Sequence, residues 1–360
     1  MQARSARLDI VRIFAALSVM GFHLGTGMWM PDSGTAAGVL SSAGVSGSVH
    51  DNFWWGWIGV PIFYTLSGYL IAARLQRSAS SFLWARLSRL IPGAIASATL
   101  TGVLLLTLYP ATVDMGQRFL SSIVLWPFGP WVDSVYWTLG IEMSFYALVA
   151  LLLWRGHESR LETVILGVAA ISATAWAMST IAGIYAPKLP FIPDRVLQLL
   201  LVKDGIFFAA GVVIFGGIKV GWDRRRVTII AVLGLIGCLP IVAEAIVRAT
   251  SAGLEVQPLW ACCVWLLAMG LMAVPSTKMS GPVLSFLSKA TYPLYLIHSA
   301  GSAVIIVHLL RSGMDRYQSV FCAVAVSIIA ALVITAWLEP MIRERLFPRR
   351  RRAVKKISAA

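Results

Sequence analysis

The sequence predicts an all-α, polytopic membrane bundle of about ten transmembrane helices with both termini in the cytoplasm. Three observations carry that prediction. Apolar residues fill 58% of the 360 positions, against roughly 45–50% in soluble domains. Charged residues supply 13%, about half the ordinary share near 25%. The mean hydropathy is +0.79. A soluble core of this length does not need so much apolar material, whereas a bilayer does. A soluble enzyme, a disordered chain and a fibrous repeat are excluded on the same grounds.

The hydrocarbon of a bilayer is about 30 Å thick and a helix rises 1.5 Å per residue, so a span needs about 20 largely apolar residues. Ten stretches qualify: Asp9–Trp29, Phe53–Ala73, Pro92–Tyr109, Val135–Trp154, Glu162–Tyr185, Leu197–Gly217, Val227–Val247, Pro258–Val274, Ala290–Leu310 and Tyr317–Leu338. The apolar piece Phe119–Trp131 is short and broken by Pro127, Gly129 and Pro130, which suits a re-entrant or interfacial segment. With the N-terminus inside, outward segments hold seven basic residues: Arg118, Lys188, Arg195, Lys203, Arg248, Arg311 and Arg316. The other 23 of 30 fall on the cytoplasmic side, including Arg224–Arg226 and Arg349–Arg352, as the positive-inside rule requires. The net charge of +14 is therefore an orientation signal, and nucleic acid is not an expected partner. Residues 1–342 are expected to form one membrane domain. Residues 343–360 form a basic cytoplasmic tail lying along anionic membrane lipid. No cleavable leader is expected, because the first apolar run lacks a small-x-small cleavage pattern. Cys238, Cys262, Cys263 and Cys322 lie in apolar runs without CxxC spacing, so neither disulfide nor metal site is expected.

Charged groups inside a bilayer are costly and mark candidate sites. Arg12 and His23 lie eleven residues apart in the first span. At 100° per residue they share one face, about 16 Å apart along the axis. That stripe carries a cation near the cytoplasm and a titratable base in the outer half; the alternative is a snorkelling arginine and a structural histidine. Glu142 of the fourth span is expected at similar depth, where pairing with His23 would orient the imidazole and stabilise its charged form. A plain interhelical ion pair is the alternative. Arg86 and Arg89 share a helix face just before Pro92. Their forks suit phosphate oxygens of a nucleotide-like head group, or else supply ordinary positive-inside charge. Ser67-Gly68 permits close approach of a neighbouring helix, the more economical role, or of a slender ligand. Tyr292, Tyr295 and His298 make a polar stripe in the ninth span, and Lys203 and Asp204 are expected to neutralise each other. His50, His157 and His308 carry no motif.

These pieces, in this order, resemble the acyltransferase family three membrane enzymes. Arg12-x10-His23 is similar to that family's first-helix signature, and Gly59–Ile71 to its second-helix motif, with Phe63-Tyr64 where two phenylalanines are usual. Arg86-x-x-Arg89, Trp137–Tyr146 with Glu142, and Tyr295-Leu296-Ile297-His298 match as well, so the resemblance covers nearly the whole chain. The wording Tyr136–Glu142 resembles exopolysaccharide O-acetyltransferases of the xanthan and succinoglycan type. The resemblance implies O-acylation of a carbohydrate hydroxyl, on a polysaccharide or a lipid-linked oligosaccharide, with acetyl-CoA as cytoplasmic donor and no metal. It implies an integral protein of the bacterial inner membrane. Carried over, His23 becomes the catalytic base or transient acyl carrier, supported by Glu142. Arg12, Arg86, Arg89 and Ser67 fall on the donor side, and Trp137, Tyr295 and His298 on the acceptor side. The appended hydrolase-like domain of some members is not expected. The reading from another class is a transporter or flippase of a glycolipid or proton-coupled solute, against which no two-half repeat is visible.

Overall fold

The structure, a computed structural model, describes residues 5–30, 34–47, 53–76, 78–109, 113–184, 186–188, 191–253, 257–275 and 279–348. His50, Arg77 and the tail beyond residue 348 lie outside them. Among the described residues, fifteen α-helices follow one another: α1 (Ala6–Gly25), α2 (Thr35–Ser42), α3 (Gly59–Ala73), α4 (Ala79–Leu105), α5 (Val113–Ile123), α6 (Trp137–Trp154), α7 (Leu161–Ile181), α8 (Asp194–Leu199), α9 (Gly205–Val220), α10 (Arg224–Ala252), α11 (Pro258–Ala273), α12 (Pro282–Ile297), α13 (Ala300–Arg311), α14 (Arg316–Val333) and α15 (Glu339–Leu346). No strand occurs among the described residues, so the all-α expectation holds.

Local signals fix many boundaries. Ser78 caps α4 by accepting the Ser81 N–H, Asp223 caps α10 through Arg226, and Asp315 caps α14 through Tyr317 and Gln318. Pro258 and Pro282 open α11 and α12, where a missing N–H costs nothing, and Gly253 at φ 65° closes α10. The cap at Ser78 starts α4 well before the expected span start at Pro92, so Arg86 and Arg89 lie in the same helix as Pro92.

Among the described residues, seven helical segments are long and apolar enough to cross a bilayer, and α12 with α13 makes an eighth if that pair, bent by 68°, is one span. The remaining two expected spans are α9 and α11, each of 16 residues. They reach only about 24 Å, below the full hydrocarbon thickness. Twelve residues of α9 are buried, so its short body is sheathed in protein rather than lipid. The expected interfacial piece folds as α5, followed by an irregular turn.

The core about the site comes from α1, α3, α4, α6, α9 and α12, with α3 packed most extensively on α9. Two glycines make that seam. A Cβ on Gly68 would stand 2.1 Å from the Phe208 carbonyl oxygen, and one on Gly211 would stand 1.9 Å from that of Thr65. Gly68 thus serves the close helix approach that its sequence context suggests.

Candidate active site

Three cavities lie in series through this core. The first is a vestibule of about 890 Å³, at the end where α1 and α4 begin and α3 ends. Eight basic side chains line it, Arg12, Arg74, Arg86 and Arg89 among them, against two carboxylates, Asp9 and Glu339. Asp9 accepts a hydrogen bond from Ser288, and Glu339 pairs with Arg343. The vestibule shares Arg12, Leu70, Arg86, Arg89 and Tyr292 with a neck of about 90 Å³. The neck in turn shares Val60 and Tyr295 with an outer chamber of about 330 Å³, whose wall includes His23. Arg12 and His23 therefore both face the interior, one at each end of a continuous line of cavities.

The neck is polar and tightly organised. Ser67 Oγ donates to Glu142 Oε1 at 2.9 Å, and the Tyr146 hydroxyl donates to the same oxygen. The Arg86 guanidinium lies 5.4 Å from the Phe82 ring centroid and 6.0 Å from that of Tyr146. It is 5% exposed, and its Nε–H is buried without an acceptor among the described residues. An arginine held between rings, with no carboxylate bonded to it, is ready for an anionic or carbonyl-bearing ligand. Across the neck the Thr138 and Tyr295 hydroxyls meet at 3.0 Å.

His23 sits at the chamber end with its Nδ1 at 3.0 Å from the Val19 carbonyl oxygen and 3.1 Å from Nε2 of His298. His298 Nδ1 lies 2.8 Å from the Tyr295 carbonyl oxygen. These contacts assign both tautomers by valence. A carbonyl only accepts, so His298 carries its proton on Nδ1 and offers a lone pair on Nε2. His23 then donates from Nδ1, and its Nε2 lone pair is left as a base. His298, 1% exposed, is the group that orients His23.

The expected Glu142–His23 pair is not formed. The azimuth of α6 turns Glu142 into the neck beside Ser67 and Tyr146, whereas His23 lines only the chamber. Depth along a helix is readable from residue counting, but rotation about its axis is not. Of the other expected residues, Arg12, Arg86, Arg89 and Ser67 line the neck, Trp137 lines the chamber, and Tyr295 stands where the two meet. Lys203 and Asp204 form no direct ion pair: Lys203 bonds Asp194, and its charge acts on Asp204 only from a longer distance.

Sequence reasoning passed over Asp133. This fully buried carboxylate accepts from the Val135 N–H at 3.2 Å and the Ala300 N–H at 2.6 Å. It ties the start of α6 to the break between α12 and α13, one residue beyond His298. Its position ahead of Ser134–Trp137 is an N-cap signal visible in sequence, but the reach to Ala300 is not. Tyr146, Trp57, Trp176 and Arg248 also line the site without having been singled out.

The family model described as an acyltransferase domain matches residues 5–339. A viral relative, the "Putative acetyltransferase ORF330" of Acidianus two-tailed virus, is 30% identical over 152 residues. That alignment takes in 41% of this chain and 40% of the relative's length. No solved structure matches the chain.

Proposed function

The chain belongs to this acyltransferase domain family, and from that premise we propose that it is an integral membrane O-acyltransferase carrying acetyl from cytoplasmic acetyl-CoA to a carbohydrate hydroxyl. The acceptor is an exopolysaccharide or its lipid-linked repeat unit, presented at the outer face of a bacterial inner membrane. The observation that carries this reading is the series of cavities: cation-lined at one end, narrow between, and imidazole-bearing at the other.

Acetyl-CoA is bulky and anionic at its nucleotide and slender along its pantetheine arm. The vestibule fits the first part by volume and charge. The neck, lined by Arg86, Ser67 and Tyr146, is where the arm would thread. The thioester reaches the junction at Tyr295, facing His23 in the chamber. There the His23 Nε2 lone pair takes the proton of the acceptor hydroxyl, and the oxygen attacks the thioester carbonyl carbon. The tetrahedral intermediate collapses with cleavage of the C–S bond. The thiolate takes the proton back from the His23 imidazolium, leaving a sugar ester and free CoA. The shared face of Arg12 and His23 on α1 lets one helix touch both the donor side and the reacting group.

The experiment uses detergent-purified full chain with radiolabelled acetyl-CoA and neutral methyl glycosides. The wild type is expected to bind acetyl-CoA and label the sugar. His23→Ala is expected to lose on the order of 10²–10⁴-fold in transfer, the range of a general base, with donor binding within twofold of wild type. Undiminished transfer by His23→Ala overturns the mechanism, and failure of the wild type to bind acetyl-CoA favours a transporter instead.

A further inference from the structure

The outer chamber has an internal charge balance unlike the vestibule. Lys203 and Arg248 face it together with Asp204 and Glu244. Three of these four are engaged by protein: Lys203 with Asp194, and Arg248 with Glu244 at 2.6 Å. Asp204 differs. Its carboxylate makes no hydrogen bond or ion pair among the described residues, and although it stands at the N-terminal end of α9 it does not cap that helix. An ionisable side chain facing a cavity, with cations near it but no donor hydrogen-bonded to it among the described residues, marks a candidate ligand site.

Two donors in the same wall are also unmet. The indole N–H of Trp57 and the Nε–H of Arg248 are buried without acceptors among the described residues. A ligand completing this wall must therefore supply hydroxyl hydrogens to Asp204 and lone pairs to the indole and guanidinium. A polyol does both. A cationic ligand meets Lys203 and Arg248, and an anionic one meets Asp204 and Glu244, so neutrality is favoured. Trp137 and Trp176 also line the chamber and give it apolar wall for ring C–H groups, while the Trp57 ring carries the Arg248 guanidinium. The chamber volume of about 330 Å³ stands at the small end of ligand pockets, roughly 300–1,000 Å³, which suits one sugar ring and part of the next.

We propose that Asp204 is the acceptor-binding carboxylate, gripping a pair of neighbouring hydroxyls of a neutral sugar while a further hydroxyl of that ring faces His23. This rests on the acyl-transfer reading above and deepens it. A carboxylate has about four lone-pair sites, enough for two adjacent hydroxyls, so the residue fixes which hydroxyl is acylated.

The test measures initial rates of acetyl transfer from labelled acetyl-CoA to methyl α-mannoside, methyl α-glucoside and methyl α-galactoside. It includes their monodeoxy analogues and methyl glucosaminide as a cationic probe. Asp204→Asn is expected to raise the acceptor KM at least tenfold while the donor KM stays within twofold. For the wild type, removing one gripped hydroxyl from the sugar costs a similar factor, and in Asp204→Asn that penalty largely disappears. An unchanged acceptor KM, a deoxy penalty undiminished in the variant, or preference for the glucosaminide overturns the proposal. Should Asp204→Asn misfold, judged by acetyl-CoA binding and elution profile, the deoxy series on wild type still decides: equal KM values throughout overturn it. If the wild type binds acetyl-CoA but labels no sugar, the carbohydrate reading itself falls, and this inference with it. If it labels sugars and Asp204→Asn behaves identically, only the role of Asp204 falls.

Discussion

At the residue scale, the notable choice is an imidazole rather than a carboxylate behind His23. His298 is buried and accepts from His23 Nδ1 through a neutral nitrogen, so the dyad adds no second charge to a low-dielectric interior. Its service is to fix tautomer and ring orientation, which leaves the Nε2 lone pair of His23 as the base of the proposed transfer. His298→Ala is expected to lower kcat by about 10²-fold, a size typical of disturbed proton transfer, with both KM values within about threefold. His298→Gln, whose side-chain oxygen accepts from nearly the same place, is expected to recover at least tenfold of that loss. Equal activity of the two variants, measured by steady-state kinetics, refutes the tautomer argument. Glu142 makes a contrasting case. It bonds Ser67 and Tyr146 in the neck, so Glu142→Gln is expected to raise the donor KM several-fold, because hydrogen bonds to a charged group contribute about 1.5–3 kcal/mol each. The pH profile of kcat should stay where it is in wild type; a displaced profile returns Glu142 to the base.

At the element scale, the α3–α9 seam sets the position of the neck, because Ser67 and Tyr64 ride on α3 beside Gly68. Gly211→Ala drives a methyl against the Thr65 carbonyl at 1.9 Å, a backbone contact with no flexible atom to yield. Overpacking of this kind costs typically about 1–3 kcal/mol, expected as a lowered melting temperature in detergent. Gly270 of α11 is the control. A Cβ there meets nothing within 4 Å, so Gly270→Ala is expected to hold or raise stability through helix propensity. If both variants melt alike, the seam is not a close contact. The elements also divide what was legible in sequence from what was not. The apolar runs located the helices long enough to cross but also counted the short α9 and α11 as full spans, and counting eleven residues put Arg12 and His23 on one face, because both are local periodicities. The break after His298 was invisible, since Ile297-His298-Ser299 contains neither proline nor glycine. It depends on Asp133, 167 residues earlier in the chain, accepting the Ala300 N–H. Pairing of Lys203 with Asp194 was hidden for a similar reason. The turn between α8 and α9, with Leu201 at φ 60°, sends the lysine back along the chain instead of toward its neighbour.

At the scale of the whole molecule, charge is distributed along the line of cavities in the order the proposed chemistry needs. Thirty basic residues against sixteen acidic ones leave +14, and eight of the cations converge on one vestibule. The outer chamber holds two cations and two carboxylates. On the proposed reading the phosphate-bearing donor enters at the first end and an uncharged acceptor at the second, so these two ends should respond differently to salt. The Debye length falls from about 10 Å at 0.1 M to about 3 Å at 1 M, so charges gathered around the vestibule lose their reach while short hydrogen bonds in the chamber do not. Raising sodium chloride from 0.05 to 0.5 M (concentrations of roughly the range over which steered association falls steeply) is therefore expected to raise the acetyl-CoA KM several-fold. The acceptor KM should remain within twofold. An acetyl-pantetheine donor, which carries the same thioester without the nucleotide phosphates, should start with a higher KM and show almost no salt dependence. Parallel salt curves for acetyl-CoA and acetyl-pantetheine would mean that the vestibule cations do not hold the nucleotide. Their gathering would then reflect membrane orientation alone, which the positive-inside rule already demands of this end. Divergent curves assign the same arginines two duties at once, orienting the chain in the bilayer and collecting its anionic substrate.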